Sequence, residues 1–166
     1  AVAKVLNELG FAITDSSILR GISSAKHPGR LEKQGRYLFD GAHNLDAADA
    51  LAAFLSDEQI ASLTIIFGAM KDKNAAEMMA KILPFGDRTI LTVPANTRSL
   101  DYEELAACVP QHTERQRMLV TNDVGRAISA AEYLTPPDGT ILITGSLYLV
   151  GEAKIKIAER DELEIS

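Results

Sequence analysis

The sequence predicts an α/β fold: an open, mostly parallel sheet of five parallel strands plus one extra edge strand, with helices on both faces. Three observations predict it. Apolar runs of strand length alternate with stretches whose apolar residues recur at helical spacing. The run at residues 63–67 is almost continuously apolar, as in a strand buried on both faces. Turn sequences such as Pro-Pro-Asp-Gly at 136–139 separate the elements. Alternation of this kind implies parallel strands joined by right-handed crossovers, a Rossmann-like arrangement.

The composition limits the classes of function. The chain has 166 residues, a formal net charge of −6 and 46% hydrophobic residues. The negative charge argues against a nucleic-acid partner, and the apolar runs are too short to span a membrane. Cys108 is the only cysteine, which excludes an internal disulfide and a cysteine-rich zinc site. No signal peptide is visible, so we expect a cytoplasmic protein. Because the first residue is Ala and helical spacing begins at once, we expect a piece of a longer chain.

The first 28 residues are predicted to form a segment separate from the core. Residues 1–9 have the spacing of the last turns of a helix, with Gly10 as its stop. Thr14 or Asp15 can cap a second helix through about residue 23. Pro28-Gly29 then breaks the pattern. We therefore expect residues 1–28 to be an appendage or linker, and residues 29–166 to be the core domain.

The core begins with a hairpin and a helix. Residues 30–40 predict a short hairpin, with an extra strand near 30–33 and an inner strand at 37–40. A helix over 44–55 follows, because its apolar residues fall on one face. The remaining elements are predicted in chain order: strand 63–67, helix 74–83 capped by Asn74, strand 89–93, helix 101–109, strand 117–120, helix 123–134, strand 140–144 and a last helix from about residue 146.

Chemistry is expected beyond the carboxyl ends of the strands, where open α/β sheets bind ligands. The loops there are predicted at 40–44, 68–73, 94–99, 121–123 and 145–146. They are rich in polar and flexible residues. The turns at the opposite edge are polar too, so this asymmetry is only suggestive.

The stretch Asp40-Gly-Ala-His-Asn44 connects a strand to a helix. Gly41 allows close approach of a ligand to the backbone. Asp40, which is expected to be exposed at the strand end, can accept hydrogen bonds from a ribose. His43 and Asn44 lie ahead of a helix N-terminus, which favours anions. The structural alternative has Asn44 as N-cap and Asp40 as a turn acceptor. From the residues alone, the functional and the structural interpretation are about equally supported.

Other candidates have stronger structural alternatives. Lys71 or Lys73 can neutralise a carboxylate or phosphate, although single lysines are usually solvated. Arg30 can bind phosphate with two hydrogen bonds, or be a surface arginine. Ser146 can cap the last helix or bind a substrate carboxylate. Arg98 is weaker still, and its neighbour Ser99 is interpreted as a cap for the helix starting at residue 101.

Several motifs are missing. The chain contains neither a G-x-x-x-x-G-K-[ST] phosphate loop nor a G-x-G-x-x-G fingerprint. Its histidines, His27, His43 and His112, are scattered rather than spaced as metal ligands. Cys108 is expected to be inert. The chain therefore looks able to hold part of a nucleotide but not a triphosphate unaided.

Four motifs, HPGRLE, FDGAHNLDAA, FGAMKDKN and TGSLYLVGE, occur in this order. Together they resemble the C-terminal domain of folylpolyglutamate synthase and dihydrofolate synthase, within the Mur ligase superfamily. The resemblance covers nearly the whole chain. It would place the missing phosphate loop in a larger N-terminal ATPase domain, with residues 1–28 as the end of that domain and the linker.

The resemblance implies an ATP-dependent amide ligase. In this family a folate or dihydropteroate carboxylate becomes an acyl phosphate, which the amino group of L-glutamate attacks, with Mg²⁺ at the phosphates. Matched motif by motif, Arg30, Asp40, His43 and Asn44 would serve the ATP site. Lys73, and less securely Ser146, would bind glutamate; Lys71 stays open as an alternative to Lys73. No residue of this chain is implied as catalytic, and the metal would be held mainly by the N-terminal domain.

Two alternatives remain. The first is the matching domain of a ligase for cell-wall precursors, since substrate choice would lie mainly in the other domain. The second is a non-enzymatic, Rossmann-type nucleotide-binding module. The last alternative predicts micromolar ATP affinity for the isolated chain, whereas a ligase half-site predicts weak binding or none.

Overall fold

The computed structural model describes residues 2–24, 27–111 and 113–164, so that His112 lies outside the described residues. Helices and strands follow in chain order: α1 Val2–Glu8, α2 Asp15–Ser24, β1 Glu32–Gln34, β2 Tyr37–Asp40, α3 Leu45–Glu58, β3 Leu63–Phe67, α4 Ala75–Ile82, β4 Arg88–Thr92, α5 Tyr102–Ala107, β5 Met118–Thr121, α6 Val124–Leu134, β6 Thr140–Thr144 and α7 Leu147–Glu164. Single 3₁₀ turns occupy Leu83–Phe85 and Arg115–Arg117. The predicted alternation is confirmed, with most ends shifted by one to three residues.

One sheet contains all six described strands, in the order β1-β2-β6-β3-β4-β5. β1 pairs antiparallel with β2, and the other four pairs are parallel. Five parallel strands plus an edge strand were predicted, and this is confirmed. The edge strand is Glu32–Gln34, two residues later than predicted, because the turn through Gly29 and Leu31 precedes it.

Helices cover both faces of the sheet. On one face, α3, α4 and α5 pack against side chains such as Leu63, Ile65 and Phe67 of β3. On the other face, α6 and α7 pack against Ile66 of β3 and its counterparts on neighbouring strands. Side chains alternate between faces along each strand, so the apolar run of β3 supplies both cores. Each fully buried large side chain contributes about 1.5–3 kcal/mol, which makes this sandwich the main source of stability.

Two predictions about helix capping, at the N-termini of α4 and α5, were wrong. Asn74 stands at the N-cap position of α4, but its side chain makes no capping hydrogen bond. Ser99 does not cap α5; its hydroxyl is buried and donates to the carbonyl oxygen of Pro94. Asp101 caps α5 instead, in a reciprocal capping box with Glu104. The Asp101 carboxylate accepts the N–H of Glu104 at 2.8 Å, and the Glu104 carboxylate accepts the N–H of Asp101 at 2.9 Å. Asp101 stands directly before the helix, whereas Ser99 lies two residues earlier.

The first two helices contribute no described side chain to either core. α1 has no buried residue, and Val2 and Leu9 are 73% and 69% exposed. Gly10 ends α1 with a φ of 92°, and the Thr14 hydroxyl caps α2 by accepting from the N–H of Ser17. A boundary near residue 28 stays a prediction. No described helix is both long enough and apolar enough to cross a membrane.

Candidate functional site

The connections of the sheet reverse on both sides of β6. β2 and β3 are each followed by a helix on the α3 side of the sheet, whereas β6, which lies between them, is followed by α7 on the opposite side. The chain therefore leaves neighbouring strand ends in opposite directions, and the loops move apart. Crevices at such switch points are where open α/β sheets bind ligands. The loops around the end of β6 are 41–44, 68–74 and 145–146.

Asp40 ends β2 at this crevice, and the prediction that its side chain is exposed is wrong. It is only 6% exposed. One carboxylate oxygen accepts the N–H of Leu31 at 3.0 Å and the other accepts the N–H of Ala42 at 2.9 Å. Burial raises the pKa of Asp40, and the two hydrogen bonds and the charge of Arg30 offset this only in part. The structural alternative, Asp40 as a turn acceptor, is therefore part of its role.

The turn before β1 brings Arg30 to the same edge. Gly29 has a φ of +70°, and its carbonyl oxygen accepts the N–H of Gly41 at 2.7 Å. Leu31 has a φ of +46°, an unfavourable conformation for a leucine, which the bond to Asp40 helps to hold. Arg30 itself is exposed and close enough to lower the pKa of Asp40. The structure thus brings Arg30 and Asp40 together, as predicted.

A side chain at Gly41 would collide with the start of α7. A Cβ there would lie 2.2 Å from the Cδ2 atom of Leu147. A larger residue at this position would force the half-exposed Leu147 side chain to move, so glycine allows this packing in addition to its proposed role in ligand approach. Because of this close packing, the loop after β2 and the first turn of α7 are held against each other.

His43 and Asn44 form the start of α3. The Nδ1 atom of His43 lies 2.8 Å from the carbonyl oxygen of Gly41, which can only accept; Nδ1 therefore carries the proton. This leaves Nε2 of the half-exposed ring available to a ligand. The Oδ1 atom of Asn44 accepts the N–H of Ala47 at 2.9 Å, so Asn44 is the predicted N-cap.

The two lysines after β3 have different partners. Lys71 pairs with Glu104 of α5, with 3.3 Å between Nζ and Oε2. Lys73 is the less exposed of the two and pairs with Asp72, at 3.3 Å between Nζ and Oδ2. The same Asp72 oxygen accepts from the guanidinium of Arg98 at 2.9 Å. Partial desolvation of Asp72 acts against ionisation, but the Lys73 hydrogen bond and the Arg98 charge outweigh it and lower the pKa of Asp72.

The end of β6 lies between these two groups. Ser146 is buried, and its Oγ accepts the N–H of Tyr148 at 3.1 Å, which confirms the predicted cap of α7. Gly145 has a φ of +103°, and a Cβ there would lie 2.7 Å from the carbonyl oxygen of Gly68. Only glycine fits this close approach of two loops. Adjacent strands are about 5 Å apart, so Asp40 and the loop of Lys73 flank β6 roughly 10 Å from each other.

Sequence reasoning ranked one residue of this edge too low and missed another. Arg98 was placed on the correct loop as the weakest candidate, because nothing in a single sequence indicates that it pairs with Asp72. Thr144 was placed only as the last residue of a strand. It is fully buried beside Asp40 and Phe67 in the sheet register, and its hydroxyl has no hydrogen-bond partner in the described part of the chain. The polar ending of an otherwise apolar strand was the available signal.

Residues 2–24, 27–111 and 113–164 contain no group of three or more His, Cys, Asp or Glu side chains that could hold a metal ion. The carboxylates of the edge, Asp40 and Asp72, are engaged with N–H groups and cations. The residues that the structure describes therefore do not fit a magnesium site of their own. A groove of about 500 Å³ runs from this edge along α7, past Leu147 and Tyr148.

Comparison with known proteins identifies the family. Residues 25–157 match the family model described as "Dihydrofolate synthetase, C-terminal domain". The chain belongs to this family. The dihydrofolate synthetase C-terminal domain accounts for most of the chain, and the resemblance seen in the four motifs is confirmed.

Three relatives show the extent of the similarity. The chain is 34% identical over 158 residues to a probable bifunctional folylpolyglutamate synthase/dihydropteroate synthase from Halobacterium salinarum, covering 93% of this chain and 19% of that protein. It is 31% identical over 140 residues to the UDP-N-acetylmuramoyl-L-alanyl-D-glutamate–2,6-diaminopimelate ligase of Streptomyces coelicolor, covering 75% and 27%. A solved Mycobacterium tuberculosis folylpolyglutamate synthase, complexed with ADP and AMPPCP, superposes with a TM-score of 0.79 at 26% identity, covering 89% of this chain and 36% of that one.

The chain thus spans about a fifth to a third of the length of these relatives. As a member of the dihydrofolate synthetase C-terminal domain family, it has the fold predicted from the sequence.

Proposed function

We propose that this chain is the C-terminal part of an ATP-dependent ligase that joins L-glutamate to folate or dihydropteroate. One observation supports the proposal: in a member of this family, Arg30 and His43 lie on one side of β6 and Lys73 lies on the other. A ligase of this kind needs neighbouring sites for a triphosphate and for an amino acid, because the reaction joins groups from both substrates.

The nucleotide would lie on the β2 side. Arg30 is exposed and would bind phosphate oxygens, and the Nε2 atom of His43 would lie near them at the N-terminus of α3. Asp40 would contact the ribose through lone pairs that its two backbone bonds leave, and Asn44 would hold the loop. The solved Mycobacterium tuberculosis folylpolyglutamate synthase is complexed with ADP and AMPPCP, which supports a nucleotide site in the family.

The amino acid would lie on the β3 side. Lys73 would pair with a glutamate carboxylate, and it is better suited than Lys71, which is more exposed and tied to α5. Ser146 would contribute through its hydroxyl, which also caps α7. The N–H groups of the first turn of α7 add positive potential near this position.

An N-terminal ATPase domain would complete the site. It would supply the phosphate loop and the ligands of Mg²⁺, since the described residues of this chain contain no such group. The folate carboxylate would take the γ-phosphate of ATP, and the amino group of glutamate would then displace phosphate from the acyl phosphate. Closure of the two domains would keep out water, which would hydrolyse that acyl phosphate.

The test uses the full-length protein that carries this chain. We expect ADP to form only when ATP, L-glutamate and a folate or dihydropteroate are all present, and the product to be one glutamate heavier by mass spectrometry. Arg30→Ala should raise the KM for ATP about tenfold, which corresponds to the loss of about 1.4 kcal/mol of binding. The matched control is Arg115→Ala, an exposed arginine just before β5 at the opposite edge, which should leave the KM unchanged. Equal effects of both variants would contradict the assignment of Arg30.

A cell-wall precursor ligase is the second candidate, because a diaminopimelate-adding ligase is 31% identical to this chain. The same assay separates the two. A UDP-linked muramoyl peptide with diaminopimelate would replace the folate and glutamate, and product formation from that pair alone would favour the second candidate. For the isolated chain we expect weak ATP binding or none by calorimetry. Micromolar affinity would instead favour a self-sufficient nucleotide-binding module.

A further inference from the structure

The turn that carries Arg30 is bonded to the end of β2 on one side. The N–H of Leu31 donates to Asp40, and the carbonyl oxygen of Gly29 accepts the N–H of Gly41. The Arg30 side chain is exposed, and within the described part of the chain its guanidinium makes no hydrogen bond or ion pair. The backbone of the turn therefore sets where the guanidinium lies.

Glu32 binds the same turn from its other side. Glu32 is the first residue of β1, directly after the turn, and its Oε2 atom accepts the N–H of Gly29 at 2.7 Å. Its Oε1 atom accepts from the Nζ atom of Lys154 in α7 at 2.6 Å. One carboxylate thus joins the backbone of the turn to a side chain of α7, and both of its oxygens are engaged.

Lys154 is itself held in place by the sheet. Its Nζ atom lies 5.4 Å from the centroid of the Phe39 ring, and Phe39 is the residue of β2 directly opposite Glu32 in the β1–β2 register. Val150, one helical turn before Lys154, packs beside the turn, since a Cβ at Gly29 would lie 3.3 Å from its Cγ1 atom. The turn, β2 and α7 therefore form one packed unit.

The flexibility of glycine makes these bonds matter for geometry. Gly29 has a φ of +70°, and a glycine has many other conformations open to it when its hydrogen bonds are lost. A bond from an N–H to a carboxylate is stronger than one to a neutral acceptor. An exposed ion pair contributes little to stability, but the Glu32 and Lys154 side chains are each only 31% exposed, and their pair orients the carboxylate that holds Gly29. Loss of either side chain would therefore release the turn more than it would weaken the fold.

We propose that Glu32 and Lys154 are positioning residues of the nucleotide site. They hold the turn at Gly29 in the one conformation that directs the Arg30 guanidinium to the phosphate oxygens of ATP. Neither residue touches the nucleotide, and both act through Arg30. The inference rests on the proposed function, because it takes Arg30 as a phosphate ligand.

The test measures steady-state kinetics of the full-length protein that carries this chain. We expect Glu32→Ala to raise the KM for ATP about three- to tenfold and to leave the KM for L-glutamate within about twofold of wild type. Lys154→Met should raise the KM for ATP less, and Glu32→Gln should recover part of the loss, since its amide oxygen still accepts the N–H of Gly29. The matched control is Lys81→Met, which breaks a lysine–aspartate pair of similar exposure between α3 and α4 and should change neither constant.

A double-mutant cycle separates positioning from a structural role. Because Glu32 acts through Arg30, adding Glu32→Ala to Arg30→Ala should not raise the KM for ATP any further. A role in general stability would instead give effects that add. Circular dichroism melting checks that each variant is folded at the assay temperature. If Glu32→Ala does not fold, Lys154→Met is combined with Arg30→Ala in its place.

Failure of the inference and failure of the proposed function give different results. If the wild-type protein ligates glutamate, but the folded Glu32 and Lys154 variants leave the KM for ATP unchanged or add fully to Arg30→Ala, the inference is overturned and the proposed function stands. If the wild-type protein does not turn over ATP with glutamate and a folate or dihydropteroate, the proposed function is overturned, and this inference with it.

Discussion

Asp40 accepts hydrogen bonds from two backbone N–H groups, so its replacement by alanine perturbs the whole turn between residues 29 and 42. Ala42 is fully buried, and its N–H would be left without a partner or water, at a cost of about 1–3 kcal/mol. Leu31 is 41% exposed, so water can replace its lost bond and the loss there is at most about 1 kcal/mol. Removal of a buried carboxylate returns part of this, as its raised pKa indicates. We expect Asp40→Ala to lower the free energy of unfolding by about 1–3 kcal/mol.

Urea unfolding of the purified chain, followed by circular dichroism at neutral pH, measures this loss. The slope against urea should be unchanged, since the variant is not expected to alter the surface exposed on unfolding. Asp57→Ala is the matched control, because Asp57 is an exposed acid near the end of α3 and should change stability by less than about 0.5 kcal/mol. Asp40→Asn keeps one acceptor and should fall between the two. If Asp40→Ala were as stable as Asp57→Ala, the two hydrogen bonds would not hold the turn, and our account of Asp40 would be refuted.

Three further predictions concern stability. Thr144→Val should raise the free energy of unfolding by up to about 1 kcal/mol, since a buried hydroxyl without a partner is removed; a loss above 1 kcal/mol would mean a hidden partner. Gly68→Ala should lower the free energy of unfolding by about 1–3 kcal/mol, because the new Cβ would lie 2.5 Å from a carbonyl oxygen of β4. Gly151→Ala, in α7, should raise it by about 0.5–1 kcal/mol, because no atom lies within 4 Å of the new Cβ. Equal melting temperatures of the two variants would contradict both predictions. The hydrogen bond from Lys154 lowers the pKa of Glu32 from 4.5, so the unfolded chain binds the proton more tightly; stability should fall as the pH drops below about 4.5, and Glu32→Gln should flatten that part of the pH profile.

Elements whose signal is local were predicted well. The strands at residues 63–67 and 140–144 match to the residue, because each is an apolar run between turn residues. Asn44 and Ser146 cap their helices as expected, since capping depends on neighbours within three residues. Asn74 fails this rule: its backbone φ and ψ are −76° and 66°, outside the extended region typical of an N-cap, and its side chain makes no capping hydrogen bond. Sequence spacing does not reveal this backbone conformation.

The sequence predicted where the candidate site lies, but not which contacts its side chains make. The polar loops at 40–44 and 68–73 were assigned to one edge, because the carboxyl ends of parallel strands meet there. The predicted exposure of Asp40 was wrong: its carboxylate is buried and accepts the N–H of Leu31, a neighbour nine residues earlier in the chain. The pairing of Arg98 with Asp72 spans 26 residues and needs the two loops to be joined. A single sequence carries no signal for either contact.

The sequence by itself determined the strands, the helices, their alternation and the family, because these follow from local periodicity, turn residues and short motifs. Only the tertiary structure decided that β6, the last strand in the chain, is inserted between β2 and β3. That order follows from the packing of α6 and α7 on one face and of α3 to α5 on the other, which is a property of the whole core. It creates the two crevices beside the end of β6 and brings Arg30, Lys73 and Arg98 to one edge.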